Sequence, residues 1–101
     1  ANENMLQLAN LCKQNNIRLT IVIYPWPSVI EQRNLNDVQV GFWKSFCERN
    51  NLHFINLYPD FITVEDPVKV IQQYFIPGDV HWNREGNKLV AERILKELSN
   101  R

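Results

Sequence analysis

An aspartate and a histidine two residues apart, Asp79 and His81, are the side chains of this sequence best suited to carry chemistry. In an extended backbone, side chains two positions apart emerge on the same side, so the carboxylate can accept a hydrogen bond from imidazole Nδ1. The other ring nitrogen, Nε2, is then left to act as a base, as in a Ser-His-Asp site. The alternative is that Asp79 caps a turn and His81 lies at the entrance of a helix. A metal site would need further ligands, and His53 is the only other histidine.

Helical and strand patterns alternate along the chain and place this pair just before the last helix. Apolar side chains at three- and four-residue spacing predict helices at about 5–14, 37–50, 67–74 and 84–98, with Asp37, Asp66 and Asn83 at their starts. Two runs of mostly apolar, β-branched residues, 17–24 and 52–58, predict strands that stop at prolines. The segment 25–36 is predicted to be a loop.

Strands that alternate with helices predict right-handed crossovers and a parallel sheet in a three-layer α/β/α fold. Functional residues of such sheets collect beyond the carboxyl ends of the strands, which here means the segments 25–28, 59–63 and 78–83. Two strands are few for a parallel sheet, and the apolar run 17–24 is typical of a strand with neighbours on both sides. The sequence therefore indicates part of a larger doubly wound domain, or a chain that acquires strands from a partner.

Composition and charge limit the classes of function. The 101 residues fit one domain, 45% of them are hydrophobic, and no stretch approaches the roughly 18 apolar residues of a membrane span. Eleven basic and eleven acidic residues give a net charge of zero, without the basic stripe of a nucleic-acid binder or the basic face of an interfacial helix.

Cysteine content and the first residues bear on the compartment. Cys12 and Cys47 are too few for a disulfide scaffold or a zinc site and are expected as small buried residues on helices, although a single bridge stays open as an alternative. The first four residues lack the basic and apolar regions of a signal peptide. The compartment is left open, since any targeting segment would precede Ala1.

The residues around Asp79 and His81 resemble the C-terminal signature of SGNH/GDSL hydrolases. The resemblance is carried by Ile76-Pro77-Gly78-Asp79-Val80-His81-Trp82-Asn83-Arg84-Glu85-Gly86-Asn87-Lys88-Leu89-Val90-Ala91-Glu92. In that family an Asp and a His precede the last helix, which opens with polar-x-x-Gly and continues as an apolar helix containing alanine. The resemblance implies a flavodoxin-like α/β/α fold with only the last two βα units present. Residues 1–101 would then be the C-terminal portion of a single SGNH hydrolase-like domain.

The same resemblance implies roles for individual residues. Asp79 would be the orienting acid and His81 the general base in the hydrolysis of an acyl ester or carbohydrate acetate, with no metal or other cofactor. Gly86 would let the first turn of the last helix approach its neighbour closely. Trp82 would form one side of the site, or else cover the sheet edge. Trp26 would help to bind a small-molecule or carbohydrate ester.

The sequence departs from the family pattern in the spacing of its acid and base. One residue separates Asp79 from His81, where two are usual, and Trp82 follows directly. This shorter form is similar to a branch that includes alginate O-acetyltransferase-like proteins. Acetyl transfer to a polysaccharide hydroxyl is therefore an alternative to hydrolysis.

The nucleophile of the family is the second departure. The Ser of the Gly-Asp-Ser segment is missing, as are the Gly and Asn blocks of the oxyanion hole, all of which the family places before the strands seen here. Ser28 lacks a Gly-flanked elbow, Ser45 falls within a predicted helix and Ser99 at the end of one. We therefore expect this chain alone to be inactive, and to self-associate or pair with a missing N-terminal half. A further alternative is a non-catalytic α/β module in which Asp79 and His81 are relics.

Overall fold

The computed structural model describes residues 2–99, in which helices surround a short sheet. The elements in chain order are α1 (Asn2–Gln14), β1 (Thr20–Ile23), α2 (Pro27–Glu31), α3 (Val38–Asn50), β2 (His53–Asn56), α4 (Tyr58–Phe61), α5 (Pro67–Tyr74) and α6 (Arg84–Ser99). Within this range no helix combines the length and the apolar character that crossing a bilayer requires. The chain is thus a mixed helix-and-strand structure, as the alternating pattern predicts.

The two strands are parallel neighbours, which confirms the predicted pairing. Ile21 lies opposite Phe54 and Val22 opposite Ile55. The N–H of Leu57 donates to the carbonyl of Ile23 just beyond the register. No third strand joins this sheet among residues 2–99. In this part of the chain each strand therefore has another strand on one side only.

Helices cover both faces of the sheet, because successive strand residues point to opposite sides. On one face Ile55 packs in a cluster that extends through Ile30 of α2, Val70 of α5 and Val90 of α6. On the other face Ile21 packs against Phe46 and Cys47 of α3. The sheet is consequently the middle layer between two layers of helix.

The cysteines are where the sequence places them. Cys12 on α1 and Cys47 on α3 are both buried, and neither forms a disulfide. Burial raises the pKa of the Cys47 thiol, because an apolar environment disfavours the thiolate.

Two short helices occupy segments for which the sequence predicts otherwise. Residues 27–31 form α2 instead of a loop, because Pro27 suits a first helical turn and the buried Ile30 draws that turn into the core. The second strand ends at Asn56 instead of Tyr58. The Asn56 side chain accepts a hydrogen bond from the N–H of Tyr58 at 2.9 Å, and this turn leads into α4. The first strand is also shorter than predicted, 20–23 rather than 17–24.

Two of the three expected helix caps form. Asp66 accepts from the N–H of Val68 at 3.1 Å, and Asn83 accepts from the N–H of Gly86 at 2.9 Å. Asp37 stands at the N-cap position of α3 but makes no capping bond with its side chain. Its carboxylate instead accepts from the hydroxyl of Tyr58 at 2.8 Å, a contact between residues that only the fold brings together.

We expect Gly86→Ala to destabilise the protein by about 1–3 kcal/mol, the usual cost of overpacking. A Cβ at Gly86 would overlap the backbone carbonyl of Tyr74, which cannot move without displacing α5. Urea denaturation measures the change in free energy of unfolding. The control is Gly41→Ala on α3, where a Cβ meets nothing within 4 Å. That control should stabilise the helix by about 0.5–1 kcal/mol, and equal effects of the two substitutions would contradict the close approach at Gly86.

Candidate active site

A nine-residue loop, residues 75–83, joins α5 to α6 and carries Asp79 and His81. Its base is closed by an antiparallel bridge between Phe75 and Trp82. Its tip is a turn in which Asp79 N–H donates to the carbonyl of Ile76 at 3.0 Å. Pro77 and Gly78 occupy the central positions, and the φ of 74° at Gly78 is one that glycine adopts without strain. The loop therefore has a defined shape although it contains no regular element.

The acid and the base are in direct contact. His81 Nδ1 lies 2.6 Å from Asp79 Oδ1, and the same carboxylate oxygen accepts from the backbone N–H of Val80 at 2.7 Å and of His81 at 3.3 Å. Because an ionised carboxylate only accepts, this contact requires a proton on Nδ1, and in the neutral ring Nε2 then carries the lone pair. The geometry proposed from the Asp-x-His spacing is thus present.

The electrostatics of this contact favour an ionised Asp79. The hydrogen bond from His81 is the largest effect that holds the pKa of the Asp79 carboxyl below its usual range, and the two backbone donors act in the same direction. The His81 side chain is 74% exposed and that of Asp79 is 43% exposed. The imidazole is therefore oriented at one nitrogen and open to an incoming group at the other.

The loop 75–83 lies beside the carboxyl end of β1, where functional residues of parallel sheets collect. Tyr24, the residue directly after β1, donates its hydroxyl to the carbonyl of Val80 at 3.3 Å. Its ring packs on that of Trp82, with 4.5 Å between the centroids. Tyr24 is a residue that sequence reasoning missed. Its position at the end of the predicted strand 17–24 was the available signal, but its partners are 56 and 58 residues away.

The two predicted substrate-binding tryptophans have different environments. Trp26 is 55% exposed and lies on the rim of a cavity of about 500 Å³. Trp82 is half-buried, packs against the core that contains Ile55, and is not part of the cavity lining. The Trp26 ring is therefore open to solvent at the cavity, whereas the Trp82 ring packs against the core.

Aliphatic, aromatic and polar side chains line the cavity beside β1. Its walls come from the end of β1, from α2 and from the start of α3, with Tyr58 at the start of α4. The lining residues are Val22, Ile23, Tyr24, Trp26, Val29, Asp37, Val38, Gln39 and Tyr58. Burial is the first cause that raises the pKa of Tyr58, and its hydrogen bond to Asp37 adds to the effect. Tyr58 consequently remains a neutral donor to Asp37. No pattern in the sequence marks this pair.

None of the three serines of the chain has the surroundings of an activated nucleophile. Ser28 lies on α2 and Ser45 on α3, both exposed, while the Ser99 hydroxyl donates to the carbonyl of Leu95 at 2.7 Å. Among residues 2–99, no three of the His, Cys, Asp and Glu side chains come together as metal ligands would.

No protein-family model, curated protein or solved structure matches this chain. The likeness of residues 76–92 to the SGNH signature accordingly stays a prediction.

We expect His81→Ala to raise the pKa of Asp79 toward its ordinary value, because the substitution removes the largest stabilising contact of the carboxylate. In the native chain, the stabilisation from this contact is present above the ordinary aspartate pKa and is lost as the pH falls through the lowered one. Carboxyl ¹³C NMR over a pH titration measures the shift. His53→Ala, which removes the other histidine, should leave Asp79 unchanged. An unaltered Asp79 titration in His81→Ala would show that the contact does not persist in solution.

Proposed function

We propose that this chain supplies the acid–base half of an SGNH-type serine esterase, as the C-terminal portion of one flavodoxin-like domain. The observation that carries the proposal is the 2.6 Å contact between Asp79 and His81, on a loop at the carboxyl end of β1 with the imidazole exposed. The substrate would be an acyl ester of a small molecule or a carbohydrate, and no cofactor takes part.

Each residue has a defined part in the reaction. A serine from outside residues 1–101 attacks the ester carbonyl, and His81 Nε2 takes its proton as the carbon–oxygen bond forms. The tetrahedral intermediate collapses when the imidazolium returns that proton to the departing alkoxide. Water then attacks the acyl-serine by the same route and releases the acid. Asp79 keeps the proton on Nδ1 throughout and stabilises the imidazolium.

We propose that the serine-bearing segment joins the chain at the edge of β1 that faces away from β2. Because Ile23 bonds to β2, the peptide groups of Val22 and Tyr24 point to the opposite edge. A strand added there would extend the parallel sheet toward the loop that holds His81. Such a strand would come from the N-terminal half of the domain or, in its absence, from a second copy of the chain.

Acetyl transfer to a polysaccharide hydroxyl is a second candidate, which the exposed Trp26 favours. Aromatic rings are good surfaces for the apolar faces of sugars, and the neighbouring cavity contributes Asp37 and Gln39 as polar partners. The step would differ only in the acceptor, since a sugar hydroxyl in place of water would attack the acyl-serine. Hydrolysis releases free acetate, whereas transfer forms an acetylated sugar. Identification of the product therefore distinguishes the two reactions.

In a protein that contains this chain together with the serine, we expect His81→Ala to reduce ester turnover about 10²–10⁴-fold. Asp79→Asn should lower kcat far more than it changes KM, because the imidazole then holds the wrong tautomer in an otherwise intact site. Steady-state hydrolysis of an aryl acetate measures both, with His53→Ala as the control. Retention of more than about a tenth of the activity in His81→Ala would contradict the role of His81 as general base and favour a non-catalytic module.

For residues 1–101 alone, we expect no turnover of an aryl acetate above that of His81→Ala, and a solution mass above the 12.0 kDa of the monomer. Light scattering after gel filtration measures the mass. Val22→Pro removes an N–H from the outer edge and leaves the bonds of Ile23 to β2, so it should shift the chain toward the monomer. A monomeric native chain with His81-dependent turnover would mean that the nucleophile lies within these residues, and Ser28 would be the first to substitute.

A further inference from the structure

The position of the His81 imidazole is not determined by packing. With 74% of its side chain exposed, the ring is held through its contact with Asp79 and through the backbone of the loop that carries it. A base must stay within hydrogen-bond reach of the group it deprotonates, and a displacement of about 1 Å costs on the order of 10²-fold in rate. Whatever fixes this loop against the sheet therefore determines how well His81 can act.

Tyr24 contacts the residues on both sides of His81. Its hydroxyl donates to the carbonyl of Val80, which precedes the histidine, and its ring packs on Trp82, which follows it. The 3.3 Å hydrogen bond is long, whereas a ring contact at 4.5 Å with a 55° tilt is a favourable aromatic geometry. The two contacts together restrain the short piece of backbone from which the imidazole projects.

Tyr24 is itself anchored at both ends. The carbonyl of Ile23, before it, accepts from the N–H of Leu57 and ties the chain to the end of β2. Pro25, after it, is fully buried and has a restricted backbone. Tyr24 therefore transmits the position of the sheet to the loop.

We propose that Tyr24 is a positioning residue that holds the Asp79–His81 pair in register with the carboxyl end of β1. The inference rests on the proposed function in taking His81 as the base, but its geometric part applies to the isolated chain. Tyr24 takes no proton and touches no reacting atom. Its loss should lower kcat and leave KM nearly unchanged.

The pKa of Asp79 is a readout that a merely structural tyrosine would not move. It is lowered first by the bond from His81 and then by the N–H groups of Val80 and His81, all of which require the loop to hold its shape. Tyr24→Phe keeps the ring contact with Trp82 and removes the hydroxyl, while Tyr24→Leu removes both. Tyr74→Phe is the matched control, because the Tyr74 ring packs on Phe61 and its hydroxyl has no hydrogen-bond partner among residues 2–99.

Carboxyl ¹³C titrations on the 101-residue chain should show the pKa of Asp79 raised in Tyr24→Phe, raised further in Tyr24→Leu and unchanged in Tyr74→Phe. Amide NMR spectra establish that each variant is folded. If Tyr24→Leu fails to fold, Tyr24→Phe decides. An Asp79 titration that is unchanged in the folded Tyr24 variants, or altered equally in Tyr74→Phe, would overturn the proposal.

Kinetics on the serine-containing protein separate this inference from the esterase proposal. We expect kcat to fall about tenfold in Tyr24→Leu, with KM within about twofold of the native value. Full activity in Tyr24→Leu beside a large loss in His81→Ala would overturn the role of Tyr24 and leave the esterase standing. Unchanged activity in His81→Ala would overturn the esterase, while the Asp79 titration would still decide whether Tyr24 positions the pair.

Discussion

The candidate site depends on the junction between α5 and α6, which the side chain of Asn83 stabilises through its hydrogen bonds. Its amide donates to the carbonyls of Gln73 and Phe75 at 3.0 and 3.4 Å, and its oxygen accepts from the N–H of Gly86. One short polar group thus joins the end of α5, the start of the loop and the first turn of α6. These are backbone groups that the ends of helices leave without internal partners, so a single residue satisfies several at once. The lack of a side chain at Gly86 is the matching constraint, because the two helices meet there backbone to backbone.

Features encoded by neighbouring residues could be predicted from the sequence, and those that depend on distant contacts could not. Asn83 and Asp66 cap helices because their partners lie two or three residues ahead, and Asp79 reaches His81 for the same reason. Asp37 also precedes a helix, yet its carboxylate accepts a hydrogen bond from Tyr58, 21 residues away, and does not cap that helix. The turn of helix at 27–31 likewise depends on the burial of Ile30 in a core that the local pattern does not reveal. The nature of the Asp79–His81 contact was accessible from sequence, while its place beside Tyr24 was not.

The two acidic side chains of greatest interest differ in what surrounds them. The carboxylate of Asp37 accepts a hydrogen bond from the buried phenol of Tyr58. Asp79 and His81 instead contact each other in water, where a hydrogen bond contributes little free energy because water competes for both partners. An exposed pair is therefore well oriented but electrostatically weak. Exclusion of water would strengthen the same contact, since Coulomb interactions grow as the local dielectric constant falls. A segment that covers the loop would thus supply, besides the serine, the environment in which Asp79 can best stabilise an imidazolium.

Tyr24 links the pairing of a further strand at the sheet edge to the position of His81. Its peptide group points to the edge of β1 that faces away from β2, while its side chain contacts the loop that carries the base. A strand that pairs with this edge would restrain the backbone of Tyr24 further, and with it the contacts that Tyr24 makes with Val80 and Trp82 on either side of His81. The group that receives a proton from the incoming serine would then be set in place by the same pairing that delivers the serine. Since parallel strands add in a fixed register, docking and alignment of the reacting groups become a single geometric event.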